Sequence, residues 1–582
     1  MGKSVYLDSI SGSDSNDGLT IENAKGTWAA AYALLTNNSD DELVIVGELS
    51  LAGGTELTIS KRGLSASQRL TIRGYMADGV TRPVITRTSG DSSNYVFRLH
   101  SDPYASDYTC IRDLDLDGAL QSGSGGISIY TTGGGMLFQN VRMRRMLRNA
   151  VNISGGGPGN NLNIATRFYR CQMYDINRTG GGPHVQGVYA EYCENVTFDE
   201  CLVDHCGRLA ADDSGTVFNH NFYFHSSCAN MTVTNTITAR ASATGIQHRK
   251  NYHVSRGNVV IDCPLGITFG HDDYAGSYPG QYVSGICQGN SVIGATDIAS
   301  GTPRKGPAIG FGYANGITMS DNIIAHCATA GYEAIRTDRP STNVTVTDTT
   351  VYDWGQDAYG VAGTANPSEP TVTVEAAATT AVSTISDYLT SLGVTPGVDP
   401  HDTFLALCRA NSDGAWDSRW TAAALNAYLR GSEPDTDEPP DTVIVNDSLF
   451  HDRRPHVITI PYGGEYPPTP GANVQGLDPN WLSTPATRIA GVRATAKRCG
   501  APFIWLHMPA GSLASPDNYC ASTDEVLPAN VLTYFASTFK PQPIVGGGGE
   551  YERWYIYHGR LMPENGLQTS QVTSPGDRFG TT

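Results

Sequence analysis

A degenerate repeat between residues 105 and 355 restricts this chain to very few folds. Nine short segments share one register, and the residues two and five places after the reference position are apolar almost throughout. The reference positions, separated by 22 to 35 residues, are Leu114, Val141, Cys171, Cys201, Thr236, Asn258, Asn290, Asn322 and Thr349. Among the residues two places further on, only Thr238 is polar. This pattern indicates short strands separated by one fixed turn and stacked in register.

Each segment is too short to bury an apolar face by itself, so neighbouring segments must stack. We therefore predict an all-β fold, a right-handed parallel β-helix (a solenoid) whose coils rise about 4.8 Å each. A β-sandwich or a propeller is the alternative, but unequal coil lengths with a constant register argue against propeller blades. Asn258, Asn290 and Asn322 share one register position. That position predicts a turn whose side chains hydrogen-bond to one another and tolerate a left-handed backbone.

The composition is that of a β-rich protein, and it excludes several classes of partner. Charged residues are only 16% of the chain, while hydrophobic residues reach 40%, enough to bury a large core. The excess of 57 acidic over 39 basic residues gives a net charge of −18, which argues against binding nucleic acid. No run approaches the roughly 18 apolar residues of a membrane-spanning helix. The first residues lack the apolar core of a signal peptide, so we expect synthesis in a cytoplasm.

The 12 cysteines are too sparse for a disulfide scaffold, and none forms a CxxC pair typical of zinc sites. Several, including Cys201, Cys206, Cys263 and Cys327, occupy apolar register positions. We therefore predict that they are reduced, buried thiols.

Four parts are predicted along the chain. Residues 1–104 form an N-terminal cap and the first coils, and residues 105–360 form the parallel β-helix. Residues 361–441 form a small helical insert followed by an acidic, proline-rich linker, and residues 442–582 form a C-terminal β-rich region of unassigned fold. The elements predicted in the flanks are a helix around Ala24–Leu35, strands at Leu43–Val46 and Leu70–Ile72, and helices near Asp402–Ala410 and Asp417–Arg430.

A second strand recurs in the coils, and its outer side forms a candidate groove. The inward residues of this strand are predicted to be Val188, Phe222, Ile246, Ile267 and Ile335. The outward residues form two rows, one of Tyr189, Tyr223, Gln247, Thr268 and Arg336, the other of Glu191, His225, Arg249, Gly270 and Asp338. Loops of variable length at 177–187, 207–221, 296–308 and after His271 flank this strand. Variable loops around one polar sheet face are typical of a binding groove.

The outward residues have the chemistry of a carbohydrate site, because aromatic rings stack on sugars while Arg and Gln bind carboxylates and hydroxyls. The predicted catalytic residues are Tyr223, His225, Arg249 and Glu191. The predicted substrate-binding residues are Tyr189, Gln247, Lys250, His271 and Arg336. Simple solvation is the alternative for each residue alone, since the outer columns of any β-helix must be polar.

Two chemistries are open at this groove. In a lyase, Arg249 would neutralise a uronate carboxylate, His225 would accept the C5 proton and Tyr223 would protonate the leaving oxygen. In a hydrolase, Glu191 would act with Asp213, Asp272 or Asp273.

Three other features have weaker implications. The pairs Asp212–Asp213 and Asp272–Asp273 could bind calcium, but adjacent acids in loops are commonly solvated turns. The segment Ser13–Gly18 is similar to a calcium loop but lacks its closing Glu, so we interpret it as a turn. The run Arg142, Arg144, Arg145 and Arg148 forms either an anion-binding ridge or a solvated face.

The N-terminal segment carries a resemblance to a known superfamily. Val5-Tyr6-Leu7-Asp8 is followed by Gly12-Ser13-Asp14-Ser15-Asn16-Asp17-Gly18 and by the helix at Thr27-Trp28-Ala29-Ala30-Ala31-Tyr32. This arrangement resembles pectate-lyase-like right-handed parallel β-helix proteins, which include secreted polysaccharide lyases and bacteriophage tailspikes. The resemblance covers about residues 1–360. It implies carbohydrate binding, commonly cleavage, and homotrimers among the phage members. Lyases of this kind pair a Lys or Arg with a further base, sometimes with calcium, and Arg249, Lys250 and His225 are the nearest matches.

The resemblance and the groove together predict a phage tailspike or tail fibre that binds and depolymerises a host surface polysaccharide. That glycan would be a capsule, an exopolysaccharide or a lipopolysaccharide. The expected partners are this glycan, two further copies of the chain and other virion tail proteins, and the expected location is the virion or otherwise the extracellular space. The alternatives are a bacterial extracellular polysaccharide lyase and a non-catalytic virion adhesin. We expect no resident cofactor, with Ca²⁺ as the metal that the resemblance allows.

Overall fold

The computed structural model describes residues 2–90, 94–99, 106–130, 134–155, 162–163, 165–178, 184–211, 213–270, 282–297, 306–337, 341–361, 372–412 and 416–432, with six short strands between residues 456 and 557. The chain forms two compact units, Met1–Val443 and Ile444–Thr582. The predicted acidic, proline-rich linker spans residues 431–441, of which 433–441 lie outside the described residues.

Three series of parallel strands build the first unit, and each strand pairs with its equivalents in the coils above and below. The first series is Ser4–Asp8, Glu42–Val46, Leu70–Gly74, Thr109–Asp117, Leu137–Arg144, Arg167–Tyr169, Thr197–Asp199, Met231–Thr234, Asn251–Arg256, Val283–Gln288, Ala314–Ser320, Thr342–Val346 and Val372–Val374. The second series, which shares the strands Thr109–Asp117 and Leu137–Arg144, adds Leu49–Leu51, Val84–Arg87, Gln172–Arg178, Leu202–Leu209, Ile237–Ala239, Val259–Ile261, Ser291–Ile293, Ile323–Cys327 and Thr350–Trp354.

The third series is an 11-stranded sheet, hereafter the third sheet. Its strands are Leu57–Ile59, Asn94–Leu99, Ser124–Ile129, Val151–Ser154, Val188–Glu191, Phe222–Phe224, Thr244–His248, Leu265–Gly270, Ile309–Gly312, Ile335–Thr337 and Tyr359–Val361. A two-stranded pair, Leu162–Asn163 with Cys193–Glu194, lies outside the three series. The prediction of an all-β, right-handed parallel β-helix is confirmed.

The predicted register is confirmed in all nine coils. The residues one place after the reference positions pair in an unbroken series, Asp115–Arg142–Gln172–Leu202–Ile237–Val259–Ser291–Ile323–Thr350. The inward side chains form one apolar core, in which Phe138, Phe168 and Phe198 stack with ring centroids 4.5 and 4.7 Å apart. Thr238, the polar exception, is buried and accepts a hydrogen bond from Asn221 Nδ2 at 2.8 Å.

The turn between the first and second series explains the asparagine column. Asn258 Nδ2 donates to Asn290 Oδ1 at 3.0 Å, and Asn290 Nδ2 donates to Asn322 Oδ1 at 2.9 Å, so the predicted ladder is present. The left-handed residue, however, is the one before the ladder position, which corrects the prediction for Asn258. The residues at this corner, with φ between 47° and 65°, are Asp113, Asn140, Arg170, Glu200, Asn235, Gly257, Gly289, Asp321 and Asp348. A positive φ turns the chain sharply, and Asn, Asp and Gly adopt it at least cost.

The N-terminal elements match their predictions closely. Helix α1, Trp28–Leu34, begins later than predicted because Thr27 is its N-cap and accepts a hydrogen bond from the Ala30 N–H. Asp14 in turn accepts hydrogen bonds from Gly26, from the Thr27 N–H and from the Thr27 hydroxyl. The segment Ser13–Gly18 is therefore a turn that supports the helix, as interpreted from the sequence.

Three further helices follow the last coil, where the sequence predicted two. They are α2 (Ile385–Ser391), α3 (Pro400–Ala410) and α4 (Ala422–Leu429), with a 3₁₀ turn at Ser418–Trp420. Their apolar faces pack on outward residues of the second series, including Leu202, Ile237, Val259, Ile261, Ile293 and Ile323. Burial of this second apolar surface joins the helices to the β-helix within one compact unit.

The described strands of the second unit form a mixed sheet. Phe503–Pro509 pairs parallel with His456–Thr459 and antiparallel with Cys520–Ser522 and Trp554–Tyr557. Gly549–Glu552 pairs antiparallel with Pro543–Gly546 and with the end of Phe503–Pro509. In the parts of the chain that are described, no helix has the length and apolarity to cross a membrane.

Candidate active site

The outer face of the third sheet carries one continuous row of in-register side chains. In coil order these are Thr58, Arg98, Ser128, Asn152, Tyr189, Tyr223, Gln247, Thr268, Gly310, Arg336 and Gly360. The inward alternates Val188, Phe222, Ile246, Ile267 and Ile335 are all buried, as predicted. Polar and aromatic side chains are concentrated in the middle coils.

One coil of this row was absent from the predicted arrangement. Ile309–Gly312 lies between the strands of Thr268 and Arg336, so Gly310 separates these two residues. Arg336 is bound to Glu333, with Nη1 and Oε2 2.7 Å apart, and its guanidinium lies 4.4 Å from the centre of the Tyr332 ring. Arg336 is therefore two coils from Thr268 rather than one, which moves it away from the predicted cluster.

An aromatic platform occupies the centre of the face. The rings of Tyr189 and Tyr223 stack with centroids 5.6 Å apart and an interplanar angle of 7°. The ring of His220 stacks on Tyr223 from another side at 5.2 Å, and the Arg249 guanidinium lies 4.9 Å from the Tyr223 ring centre. Flat rings beside a cation form a surface that suits a sugar ring carrying a negative charge.

Glu191 lies at one end of the second row, directly beside the platform. Its Oε2 accepts a hydrogen bond from the Tyr189 hydroxyl at 2.9 Å, and its Oε1 accepts one from the Ser154 hydroxyl at 2.8 Å. Burial, together with the charge of Glu191 and this hydrogen bond, raises the pKa of Tyr189. Tyr189 therefore stays protonated. Its hydroxyl and that of Ser154 both donate to the side-chain oxygens of Glu191 and so fix the orientation of this side chain.

His225 follows Glu191 in the next coil, and its contacts indicate where its proton resides. The Ser227 N–H donates to His225 Nδ1 at 3.3 Å, and the Ser227 hydroxyl lies 2.8 Å from the same nitrogen. Ser227 Oγ also accepts a hydrogen bond from the Tyr192 N–H at 2.7 Å. Because Nδ1 accepts from a backbone N–H, the neutral ring carries its proton on Nε2.

The structure thus brings together Tyr189, Glu191, Tyr223, His225, Arg249 and Gln247 on one sheet face. Lys250 is half-buried and follows Arg249 at the end of its strand. The predicted residues His271, Asp272, Asp273, Asp212 and Asp338 lie outside the described residues.

Three residues at this face were not predicted: His220, Ser154 and Ser227. Burial, followed by the charges of Arg249 and His184, lowers the pKa of His220 to about 3, so its ring is neutral at ordinary pH. Its Nδ1 is buried and has no hydrogen-bond partner within the described ranges. Ser154 stands 37 residues from Glu191 in the sequence, so only the coil stacking reveals this contact.

Two charged features proved to have structural partners. Asp213 binds His205 at 2.7 Å and Arg208 at 3.4 Å, away from the rows of the groove. Arg142 and Arg144 bind the buried Asp115, at 2.7 and 3.0 Å, and Arg145 binds Asp117. Carboxylates of the preceding coil thus bind all three guanidinium groups. Arg145 is nevertheless exposed, as the solvated-face alternative predicted, whereas Arg142 and Arg144 are half-buried.

The cysteine prediction is confirmed for the ten described cysteines, which are buried thiols outside any disulfide. No group of three His, Cys, Asp or Glu side chains has the arrangement of a metal site in the part of the chain that the structure describes.

Comparison with known proteins places the chain among distant structural neighbours. No protein-family model matches the sequence, and no curated protein matches it. Among solved structures, the chain is similar to the pectate lyase Pel9A at 14% identity and a TM-score of 0.39, covering 64% of this chain and 82% of that one. It is also similar to an alginate lyase from Paenibacillus sp. str. FPU-7 at 12% identity and a TM-score of 0.36, covering 56% and 96%.

A third similar structure is the pre-mature bacteriophage phi29 gene product 12, at 11% identity and a TM-score of 0.38, covering 55% of this chain and 43% of that one. These similarities lie in the fold. The chain's own strand pairings define it as a parallel β-helix protein.

Proposed function

We propose that this protein binds an acidic polysaccharide on the outer face of the third sheet and cleaves it by β-elimination. The observation that carries the proposal is the Tyr189–Tyr223 platform with Arg249 4.9 Å from the Tyr223 ring and Glu191 at its edge. The stacked rings offer apolar contact to a sugar, and the guanidinium neutralises a uronate carboxylate, which acidifies the adjacent C5 proton. The platform thus supplies both binding and activation.

The hydrogen bonds favour one distribution of roles. Glu191 accepts the C5 proton, the C4–O bond breaks as the C4=C5 double bond forms, and the Tyr223 hydroxyl protonates the leaving oxygen. His225 donates a hydrogen bond from Nε2 to the substrate carboxylate beside Arg249, because its Nδ1 already accepts from Ser227. The sequence predicted His225 as the base instead, and the experiment below separates the two assignments.

The test compares Glu191→Gln with His225→Gln on a panel of uronate-containing polysaccharides. The readout is the ultraviolet absorbance of the new double bond. Glu191→Gln is expected to lower the rate about 10²- to 10⁴-fold with little change in binding, as loss of a general base does. Glu194→Gln, in the same coil but outside both rows, is the matched control. A larger loss in His225→Gln than in Glu191→Gln would make His225 the base. Reducing ends without this absorbance would indicate a hydrolase, and binding without either product an adhesin.

The resemblance to tailspikes supports a more specific role. We propose a homotrimeric phage tail protein that contacts other tail proteins and recognises a capsule, exopolysaccharide or lipopolysaccharide of the host. Light scattering on the purified chain tests the trimer. Halos on bacterial lawns spotted with the protein test the depolymerase activity. A monomer that leaves all lawns intact would refute this role, while cleavage of purified glycans by a monomer would favour an extracellular bacterial enzyme.

A further inference from the structure

Two adjacent side chains beside the aromatic platform bury polar atoms that lack a protein partner. Gln247 and Thr268 are in-register neighbours on the outer row of the third sheet, one and two coils beyond Tyr223. Gln247 is only 6% exposed. Among the described residues, neither Gln247 Oε1 nor Thr268 Oγ1 has a hydrogen-bond partner, and both atoms are buried.

Such atoms oppose folding, because burial removes their hydration and no described residue replaces the lost hydrogen bonds. Both atoms lie on the outer row, whereas Nδ1 of the inward neighbour His248, which also lacks a partner among the described residues, faces the core. His248, next to Gln247, donates or accepts at Ser255 Oγ at 2.9 Å, and the polar inward residue Thr238 also has a partner. An acceptor and a hydroxyl side by side on the groove face are therefore complementary to a ligand that brings its own donors.

The next residue of the row after this pair is buried between neighbouring side chains. Gly310 follows Thr268 in the row and has no side chain. A Cβ placed at Gly310 would meet Pro307 Cγ at 3.3 Å and Thr268 Cγ2 at 3.7 Å, so the neighbouring side chains border this position on two sides. The row thus changes from rings at Tyr189 and Tyr223 to a polar pair and then to bare backbone.

We propose that Gln247 and Thr268 form a subsite for an uncharged sugar unit, adjacent to the Tyr223–Arg249 position that binds the acidic unit. This inference rests on the proposed function and extends it, because it assigns a polymer that contains neutral sugars as well as uronates. Gln247 Oε1 accepts a hydroxyl or acetamido N–H proton of the sugar, and Thr268 Oγ1 exchanges a hydrogen bond with a neighbouring sugar hydroxyl. Gly310, the next residue of the row, adds no side chain beside these atoms.

The test uses Thr268→Val, which keeps the β-branched shape and removes the hydroxyl. Thr58→Val, at the far end of the same row, is the matched control. Binding is measured on a printed array of purified bacterial capsular polysaccharides and lipopolysaccharides, and the affinity is titrated on the glycan with the strongest wild-type signal. Thr268→Val is expected to weaken this affinity about 5- to 10-fold, the effect of one lost hydrogen bond. Its melting temperature should be equal to that of the wild type or about 1 to 2 °C higher.

The combination of the two readouts decides between the explanations. A lower melting temperature in Thr268→Val would show that the hydroxyl stabilises the fold. Unchanged affinity with unchanged stability would show that the hydroxyl contributes neither to binding nor to folding. Either result overturns the subsite. Gln247→Met provides an independent second variant with the same expectation. If Tyr223→Ala abolishes binding while both subsite variants bind normally, the proposed function stands and the subsite fails. If the wild type binds no glycan on the array, both fail.

Discussion

Acidification should destabilise this protein through two histidines in its core. His248 and His253 are fully buried, and their rings stack with centroids 4.8 Å apart. Phe224 and Phe269 flank His248 at 5.2 and 4.8 Å. His253 Nδ1 accepts a hydrogen bond from the Met231 N–H at 3.3 Å, and its Nε2 donates to the Lys250 carbonyl. A second proton on either ring would therefore create a buried positive charge with poor hydrogen bonding.

The direction and size of the effect follow from the shifted pKa values. Burial lowers the pKa of His253 to about 4, and burial with the neighbouring His253 lowers the pKa of His248 well below its ordinary value. Unfolding restores both to about 6.5, so the unfolded chain binds more protons and stability falls as pH drops below about 6.5. At about 1.4 kcal/mol per pH unit and per ring, each histidine costs roughly 2 kcal/mol at pH 5.

The assay is urea unfolding at pH 7.5, 6 and 5, followed by circular dichroism. The comparison is the double variant His248→Phe/Ser255→Ala, which removes both partners of the buried 2.9 Å hydrogen bond and keeps an aromatic ring in the stack. Between pH 7.5 and 5, the free energy of unfolding of this variant should fall by about 2 kcal/mol less than that of the wild type. His184→Gln, which alters an exposed ring, is the control. Equal slopes in wild type and double variant would refute the argument.

Three further predictions concern the turn ladder, the thiols and the helices. Asn290→Ala should lower the free energy of unfolding by about 3 kcal/mol, because it strands buried groups of the neighbouring coils, whereas the exposed Asn23→Ala should have no effect; equal urea midpoints would contradict the ladder. Cys263→Ser should cost about 1 to 3 kcal/mol, since its Sγ lies 3.6 Å or more from the nearest carbonyls, and rapid thiol labelling of the native protein would disprove its burial. Burial alone would lower the pKa of His401, but the Asp262 carboxylate, 2.6 Å away, raises it above its ordinary value. The contact therefore stabilises α3 fully below about pH 6.5, and this stabilisation is lost as the pH rises through the raised pKa of His401 in the folded protein. Proteolysis of α3 should therefore accelerate at alkaline pH in the wild type but not in His401→Gln, and identical pH profiles would refute this.

Much of the site could be predicted from the sequence, because strand alternation assigns each residue to the inside or the outside. That rule places six residues on one face: Tyr189, Tyr223, Gln247, Glu191, His225 and Arg249. It missed the coil at Ile309–Gly312, since its outward residue is Gly310, and a missing side chain gives no polar signal. It also missed Ser154, whose contact with Glu191 forms only when coils stack, and His220, which stacks on Tyr223 from within the same coil.

The sequence by itself determined the β-helix and its register, because every coil must bury the same inward positions and repeats that requirement nine times. The tertiary structure decided the rest. The outward apolar residues Leu202 and Ile237 pack against the helices α2–α4, which come some 150 or more residues later in the chain. Arg142 and Arg144 were predicted to form an anion-binding ridge or a solvated face, whereas the structure pairs both with Asp115 of the preceding coil. A periodic pattern reports which side of the sheet a residue occupies, whereas its partner there depends on loop lengths and on distant segments that no local period encodes.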